Sequence, residues 1–233
     1  MLRALLDIIF PPVCPLCEEA IWQDKFCPSC LDGFSSKKIA SPKCTVCAIP
    51  FISQTGDDHA CGECLSGHMP FKEARSAFIY DGCVLKAIHL FKYSGRVTLA
   101  GALGAMMAGA ASFGEKPDVI VPVPLHRKRL ASRGYNQSLL LANEVSKALS
   151  IEVDRTGLKR MRYTEEQINL SADERKTNVR GAFEVKDGMF KKRKVLLVDD
   201  VFTTGATIKE CSKVLSDAGA EVYVLTLARA VKV

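Results

Sequence analysis

The chain has 233 residues, 48% of them hydrophobic and 25% charged, with 10 cysteines and a formal net charge of +6. This content excludes a disordered or fibrous chain and suits one compact domain carrying a smaller module. The mild positive balance permits contact with polyanions without demanding it.

Residues 1–10 read as a short apolar helix, with Leu2, Leu5, Leu6 and Ile9 on overlapping faces, suited to packing or to a partner helix. Arg3, Asp7 and the run into Pro11-Pro12 lack the pattern of a secretory signal and its cleavage site. A cysteine-rich chain of this kind is expected in reducing cytoplasm.

Four C-x-x-C knuckles follow: Cys14 and Cys17, Cys27 and Cys30, Cys44 and Cys47, Cys61 and Cys64. Each knuckle offers two thiolates to one metal at about 2.3 Å, and two knuckles complete a tetrahedral site. Sequential pairing leaves spacers of nine and thirteen residues and gives two stacked zinc ribbons; interleaved pairing stays open. Two Zn²⁺ are expected, structural rather than catalytic, because full cysteine coordination leaves no position for a substrate. A redox C-x-x-C sits singly between a strand and a helix, unlike this fourfold repeat. Residues 11–70 are poor in large aliphatic side chains, so metal must supply folding energy, about 10–16 kcal/mol for a structural site. The expected division is residues 1–68 as an N-terminal helix and double zinc ribbon and residues 69–233 as the main domain.

Beyond the knuckles, strands are predicted over 75–80, 118–123, 157–160, 195–198 and 221–228, and helices over 84–93, 97–113, 136–149 and 204–218. Segment 97–113 is uncharged, but it is rich in Ala and Gly and shorter than a typical span of about 20 residues, so no transmembrane segment is expected. Asn136 is a candidate N-cap, and Gly219 fits the C′ position of the last helix. Cys83 and Cys211 fall on apolar helix faces as small core residues. Residues 160–180 read as a long polar loop with a helical turn around 172–177. Strands alternating with helices imply an α/β fold with a parallel sheet and helices on both faces.

Two stretches carry chemistry. Residues 124–138 read as a loop after a strand, with His126, Arg127, Lys128, Arg129 and Arg133 within eight residues. Arginine forks suit a dense anion such as pyrophosphate. Residues 195–207, VLLVDDVFTTGAT, run from a buried strand into Asp199 and Asp200, then Thr203, Thr204, Gly205, Ala206 and Thr207. Paired carboxylates can accept from a vicinal diol, while a Thr/Gly turn opening a helix points N–H and O–H donors at phosphate. The ligand so described is a sugar phosphate. No P-loop or dinucleotide-binding glycine pattern is present.

The 195–207 string resembles the 5-phosphoribosyl-1-pyrophosphate (PRPP) signature of type I phosphoribosyltransferases. Together with the knuckles, FKYSGR at 91–96, the basic stretch at 121–138 and residues 158–183, it resembles the ComF family over nearly the whole chain. The resemblance implies a type I phosphoribosyltransferase-like domain in which Asp199 and Asp200 hold the ribose hydroxyls and Thr203, Thr204, Gly205, Ala206 and Thr207 cradle the 5′-phosphate. His126, Arg127, Lys128 and Arg129 would meet the pyrophosphate, Mg²⁺ would accompany PRPP, and Arg133 with the two aspartates would form the catalytic set. Arg160, Arg162, Thr164, Gln167, Arg175 and Asn178 would fall in the flexible loop or on the surfaces beside it. The family's process is natural transformation: handling of incoming single-stranded DNA, with a competence helicase or recombination proteins as partners, in the cytoplasm or peripherally at the inner membrane. No element that reads an acceptor base is legible in residues 65–120. A phosphoribosyltransferase of nucleotide metabolism with no DNA role, a PRPP sensor without turnover, and a nucleic-acid-binding accessory protein therefore stay open.

Overall fold

The computed structural model describes residues 11–21, 25–53, 55–163 and 177–231. The helix expected over 1–10, most of the turn expected around 172–177, and Thr164, Gln167 and Arg175 lie outside them. The centre is a parallel sheet in the order β1 (Glu73–Ile79), β6 (Glu221–Arg229), β5 (Lys194–Phe202), β2 (Val119–Pro122). Val195, Leu196, Leu197 and Val198 are all fully buried, as expected of a central strand covered on both faces.

Alternation along the strands sorts the helices. Leu196, Val198, Leu225 and Ile120 face one core with α3 (Gly82–Tyr93), α4 (Leu99–Ala108) and α6 (Gln137–Leu149). Val195, Leu197, Val121 and Val224 face a second core with α7 (Ala206–Asp217), through Ile208, Cys211 and Leu215. Helices thus cover both faces. Asn136 caps α6, its Oδ1 accepting from the N–H groups of Ser138 and Leu139 at 3.0 and 3.4 Å.

The cysteine-rich segment, which carries the short helices α1 (Pro28–Ser35) and α2 (Gly62–Ser66), shares these cores. Cys14, Leu16, Phe26, Cys27 and Phe34 join the first, where the rings of Phe26, Phe34 and Phe78 lie 5.1 and 5.4 Å apart in succession. Cys44 and Cys47 join the second beside Phe71 and Phe202. Between the two clusters the chain runs along β1: Ile39 N–H donates to Ala77 O, Ile79 N–H to Lys37 O, and Ala74 N–H to Val46 O. At the opposite edge Ile120 bridges Val153. Both edges of the sheet are therefore covered.

Three features depart from the sequence reading. The strand β5 continues through Asp199 and Asp200 to Phe202, because beyond Val198 it keeps β6 as a partner. The strand β3 (Leu158–Arg160) pairs antiparallel with β4 (Phe183–Val185), a three-residue segment too short to show a period. The basic stretch, read as a loop, contains a helix, α5 (Arg127–Arg133), ended by Gly134 at φ 82°.

Candidate functional site

Two cysteine clusters come first. The Sγ atoms of Cys14, Cys17, Cys27 and Cys30 lie within 4.8 Å of one another, as do those of Cys44, Cys47, Cys61 and Cys64. The knuckles pair sequentially. A tetrahedral zinc site with bonds of about 2.3 Å has sulfur–sulfur edges of about 3.8 Å; Cys17 and Cys27 are 3.3 Å apart, Cys47 and Cys61 3.8 Å. The N–H groups of Cys47 and Cys61 donate to Cys44 Sγ at 3.4 and 3.3 Å. Burial raises the Cys44 thiol, but such N–H donors outweigh it and bring it down to about 7. Four soft sulfur donors gathered within reach of one ion fit structural zinc at both sites.

The second site is set by topology. The chain leaving β2 passes to α6 on one face, and the chain leaving β5 passes to α7 on the other. A crevice opens between adjacent strands whose helices diverge in this way. Here β2 ends opposite Val198, so the side of β5 at Asp199 and Asp200 has no neighbouring strand. A cleft of about 510 Å³ occupies this place, and Asp199, Asp200, Thr203, Gly205, Ala206, Thr207, Arg129 and Arg133 all line it.

The carboxylates are held differently. Asp200 is 4% exposed; its Oδ1 lies 2.9 Å from Lys92 Nζ and its Oδ2 accepts from Gln137 Nε2 at 3.3 Å. Burial disfavours a charged Lys92, but Asp200, with Asp199 beyond it, outweighs burial and keeps the ammonium. Asp199 Oδ1 accepts from Ser138 Oγ at 2.8 Å and from the N–H of Asp200 at 2.9 Å. Burial, then the Asp200 charge, pushes Asp199 up to about 7 against the opposing effects of Lys92 and these donors. Lys92, Arg129, Arg133 and Arg160 set four cations against two carboxylates, so the cleft favours an anion.

The turn after β5 is shaped for close approach. Gly205 precedes α7 at φ 78°, and a Cβ there would come within 2.3 Å of the Phe202 ring. The N–H groups of the first turn of α7 consequently open beside Thr203 and Thr207, a ready anion site. Across the cleft, Arg129 and Arg133 stand four residues apart on one face of α5, and the Arg133 guanidinium lies 5.3 Å from the centre of the Tyr93 ring.

His126, Arg127, Lys128 and Thr204 are not among the lining residues. Helical geometry turns Arg127 and Lys128 outward, where both are exposed and Lys128 Nζ lies over Tyr163 at 5.6 Å. His126 is buried and caps α5, its Nδ1 accepting from Lys128 N–H; burial and then Arg127 and Arg160 hold its pKa below the usual value. Thr204 faces a different cavity, beside Lys209 and Glu210. Arg162 donates to the carbonyls of Asn178 and Arg180, outside the cleft. Lys92, Gln137 and Ser138 were not singled out from the sequence. Gln137 and Ser138 directly follow the cap Asn136, and that position at a sheet's carboxyl edge is the signal that could have found them.

Comparison with known proteins adds the following. Residues 5–65 match the double zinc ribbon domain family. The chain is 44% identical over 117 residues to Competence protein F of Haemophilus influenzae, a match spanning 49% of this chain and about half (51%) of that protein. It is 32% identical over 218 residues to the DNA utilization protein YhgH of Escherichia coli, covering 90% of this chain and 93% of that one. Among solved structures, glutamine PRPP amidotransferase from Bacillus subtilis, complexed with ADP and GMP, aligns at TM-score 0.39 and 27% identity over 55% of this chain and 26% of its own.

Proposed function

Since the chain belongs to the ComF family, which includes Competence protein F and the DNA utilization protein YhgH, we propose that its cleft binds PRPP with Mg²⁺ and that the protein serves the uptake and handling of single-stranded DNA. One observation carries the ligand reading: an acidic strand end, a Thr/Gly turn at a helix N-terminus and two arginines converge on a single cleft. In this reading the N–H groups at the start of α7, with Thr203 and Thr207, take the 5′-phosphate. Asp199 takes a ribose hydroxyl, and Arg129 and Arg133 face the pyrophosphate. The buried Oε1 of Gln137 has no partner among the described residues and suits a second ribose hydroxyl.

Mg²⁺ would accompany the pyrophosphate, adding positive charge where the leaving group gathers negative charge. Turnover at this site would be attack of an acceptor nucleophile on C1 of the ribose, the new bond forming as the C1–O bond breaks and pyrophosphate leaves, and the protein's contribution is electrostatic: Arg129 and Arg133 stabilise the departing charge. Removing one arginine that contacts that group is expected to raise the barrier by about 2–4 kcal/mol.

Calorimetric titration with PRPP and Mg²⁺ tests the ligand. Saturable binding that disappears in Asp199→Asn supports it, and no heat at millimolar ligand rejects it. Radiolabelled PRPP offered with a panel of acceptors separates an enzyme from a sensor. For the DNA role, affinity for single-stranded DNA titrated against salt should fall steeply if the basic surface is used. Among the described residues no helix is long and apolar enough to cross a membrane.

A further inference from the structure

Arg229, the last residue of β6, stands between the second cysteine cluster and the turn that opens α7. It is 6% exposed, and its guanidinium lies 3.9 Å from the centre of the Phe202 ring. Its Nη1 donates to the carbonyls of Phe202 and Thr203 at 2.9 and 2.6 Å. Gly205 meets the Phe202 ring as well, so cation, ring and glycine turn form one packed series. Arg229 also lines a small cavity of about 10 Å³ with Cys47, Cys64 and Met69. Its Nε–H is buried without an acceptor among the described residues.

An idle donor on a buried cation beside cysteines suits thiolates held by a metal. Four thiolates on a dication keep a net negative charge, which a guanidinium offsets, and outer donors of this kind orient metal ligands. A second tie runs in parallel. Glu63 lies between Cys61 and Cys64 in the helix Gly62–Ser66, and its carboxylate is 2.6 Å from Lys209 Nζ in the first turn of α7.

We propose that the second zinc ribbon positions the ligand-binding turn at Thr203–Thr207 through Arg229, with Glu63 and Lys209 as an auxiliary tie, so that metal occupancy at Cys44, Cys47, Cys61 and Cys64 sets the order of a cleft it does not touch. Arg229 is on this account a positioning residue. The effect on ligand affinity rests on the PRPP reading above; the effect on the turn does not.

Amide exchange at Lys209, whose N–H donates to Gly205 O at 2.7 Å, and at Glu210, measured with zinc content on the full chain, tests the idea. Arg229→Met is expected to keep two zinc ions per chain and to speed exchange at these amides about tenfold or more. Cys64→Ser is expected to lose one zinc and speed the same amides by a similar factor, and the double variant to add nothing further. Wild-type exchange in Cys64→Ser, or multiplied factors in the double variant, would overturn the proposal. Glu63→Gln, altering an exposed side chain, keeps the fold available for the test and should give about a twofold change; no change in it together with none in Arg229→Lys would also overturn the proposal. PRPP affinity should fall in step with exchange. A wild-type protein that binds no PRPP removes the ligand reading and leaves the exchange comparison to decide the positioning role.

Discussion

Asp199 and Asp200 are adjacent in the chain and opposite in circumstance, since successive residues of β5 face opposite sides of the sheet. Asp200 is clamped by Lys92, whose own side chain is only 19% exposed. Asp200→Ala therefore strands a buried ammonium, and a loss of about 3–5 kcal/mol is expected in chemical denaturation. The double variant with Lys92→Met should recover part of that loss, because no charge is then left unpaired. The two aspartates share one edge of the sheet, but the ion pair makes Asp200 a structural residue as well. Asp199 makes stability depend on pH. Its folded-state pKa of about 7 lies above the ordinary 3.8, so the folded chain binds more protons than the unfolded chain between these values and stability falls as pH rises through that window. Melting temperatures of the wild type and Asp199→Asn, compared from pH 4 to 7, should converge toward the acid end as the wild type gains relative stability.

The start of α7 is the element on which the cleft depends, and its geometry needs glycine. At φ 78° and with the Phe202 ring in the way of any Cβ, Gly205→Ala is expected to cost about 1–3 kcal/mol. It should also displace Phe202, giving a ligand-binding defect that calorimetry would read separately from the lost stability. The strand and turn around this glycine were legible because a run of four apolar β-formers, two acids and a Thr/Gly string each have one simple physical reading. The α6 cap was legible from Asn136 for the same reason. The helix α5 was not: seven residues dominated by Arg and Lys carry no apolar period, and only Gly134 marked its end. That omission mattered, because helical spacing is what brings Arg129 and Arg133 to the cleft and turns Arg127 and Lys128 away. The β3–β4 pair was half legible, since tertiary contacts rather than pattern hold three-residue strands. Lys92 was hidden in the last turn of α3, where a lysine ordinarily reads as a favourable partner of the helix dipole.

At the scale of the whole molecule, the ribbons are part of the main packing. Cys14 and Cys27 belong to the apolar cluster on one face of the sheet, and Cys44 and Cys47 to the cluster on the other. A detachable module would melt alone on chelation. Here, stripping zinc with a strong chelator, or replacing Cys27 by Ser, should lower the melting temperature of the sheet itself in one cooperative transition followed by far-ultraviolet circular dichroism. An unchanged sheet transition would show the cores to be independent. The sealed borders of the sheet have one more consequence. Residues 37–39 lie along β1 and Val153 is bridged to β2, so at these two borders backbone groups of the outer strands are already paired, while the side of β5 beyond Val198 faces the cleft. A companion that meets the molecule at either of those borders finds side chains in place of an open strand, so its grip there is set by surface residues that substitution can change without unravelling the β-structure.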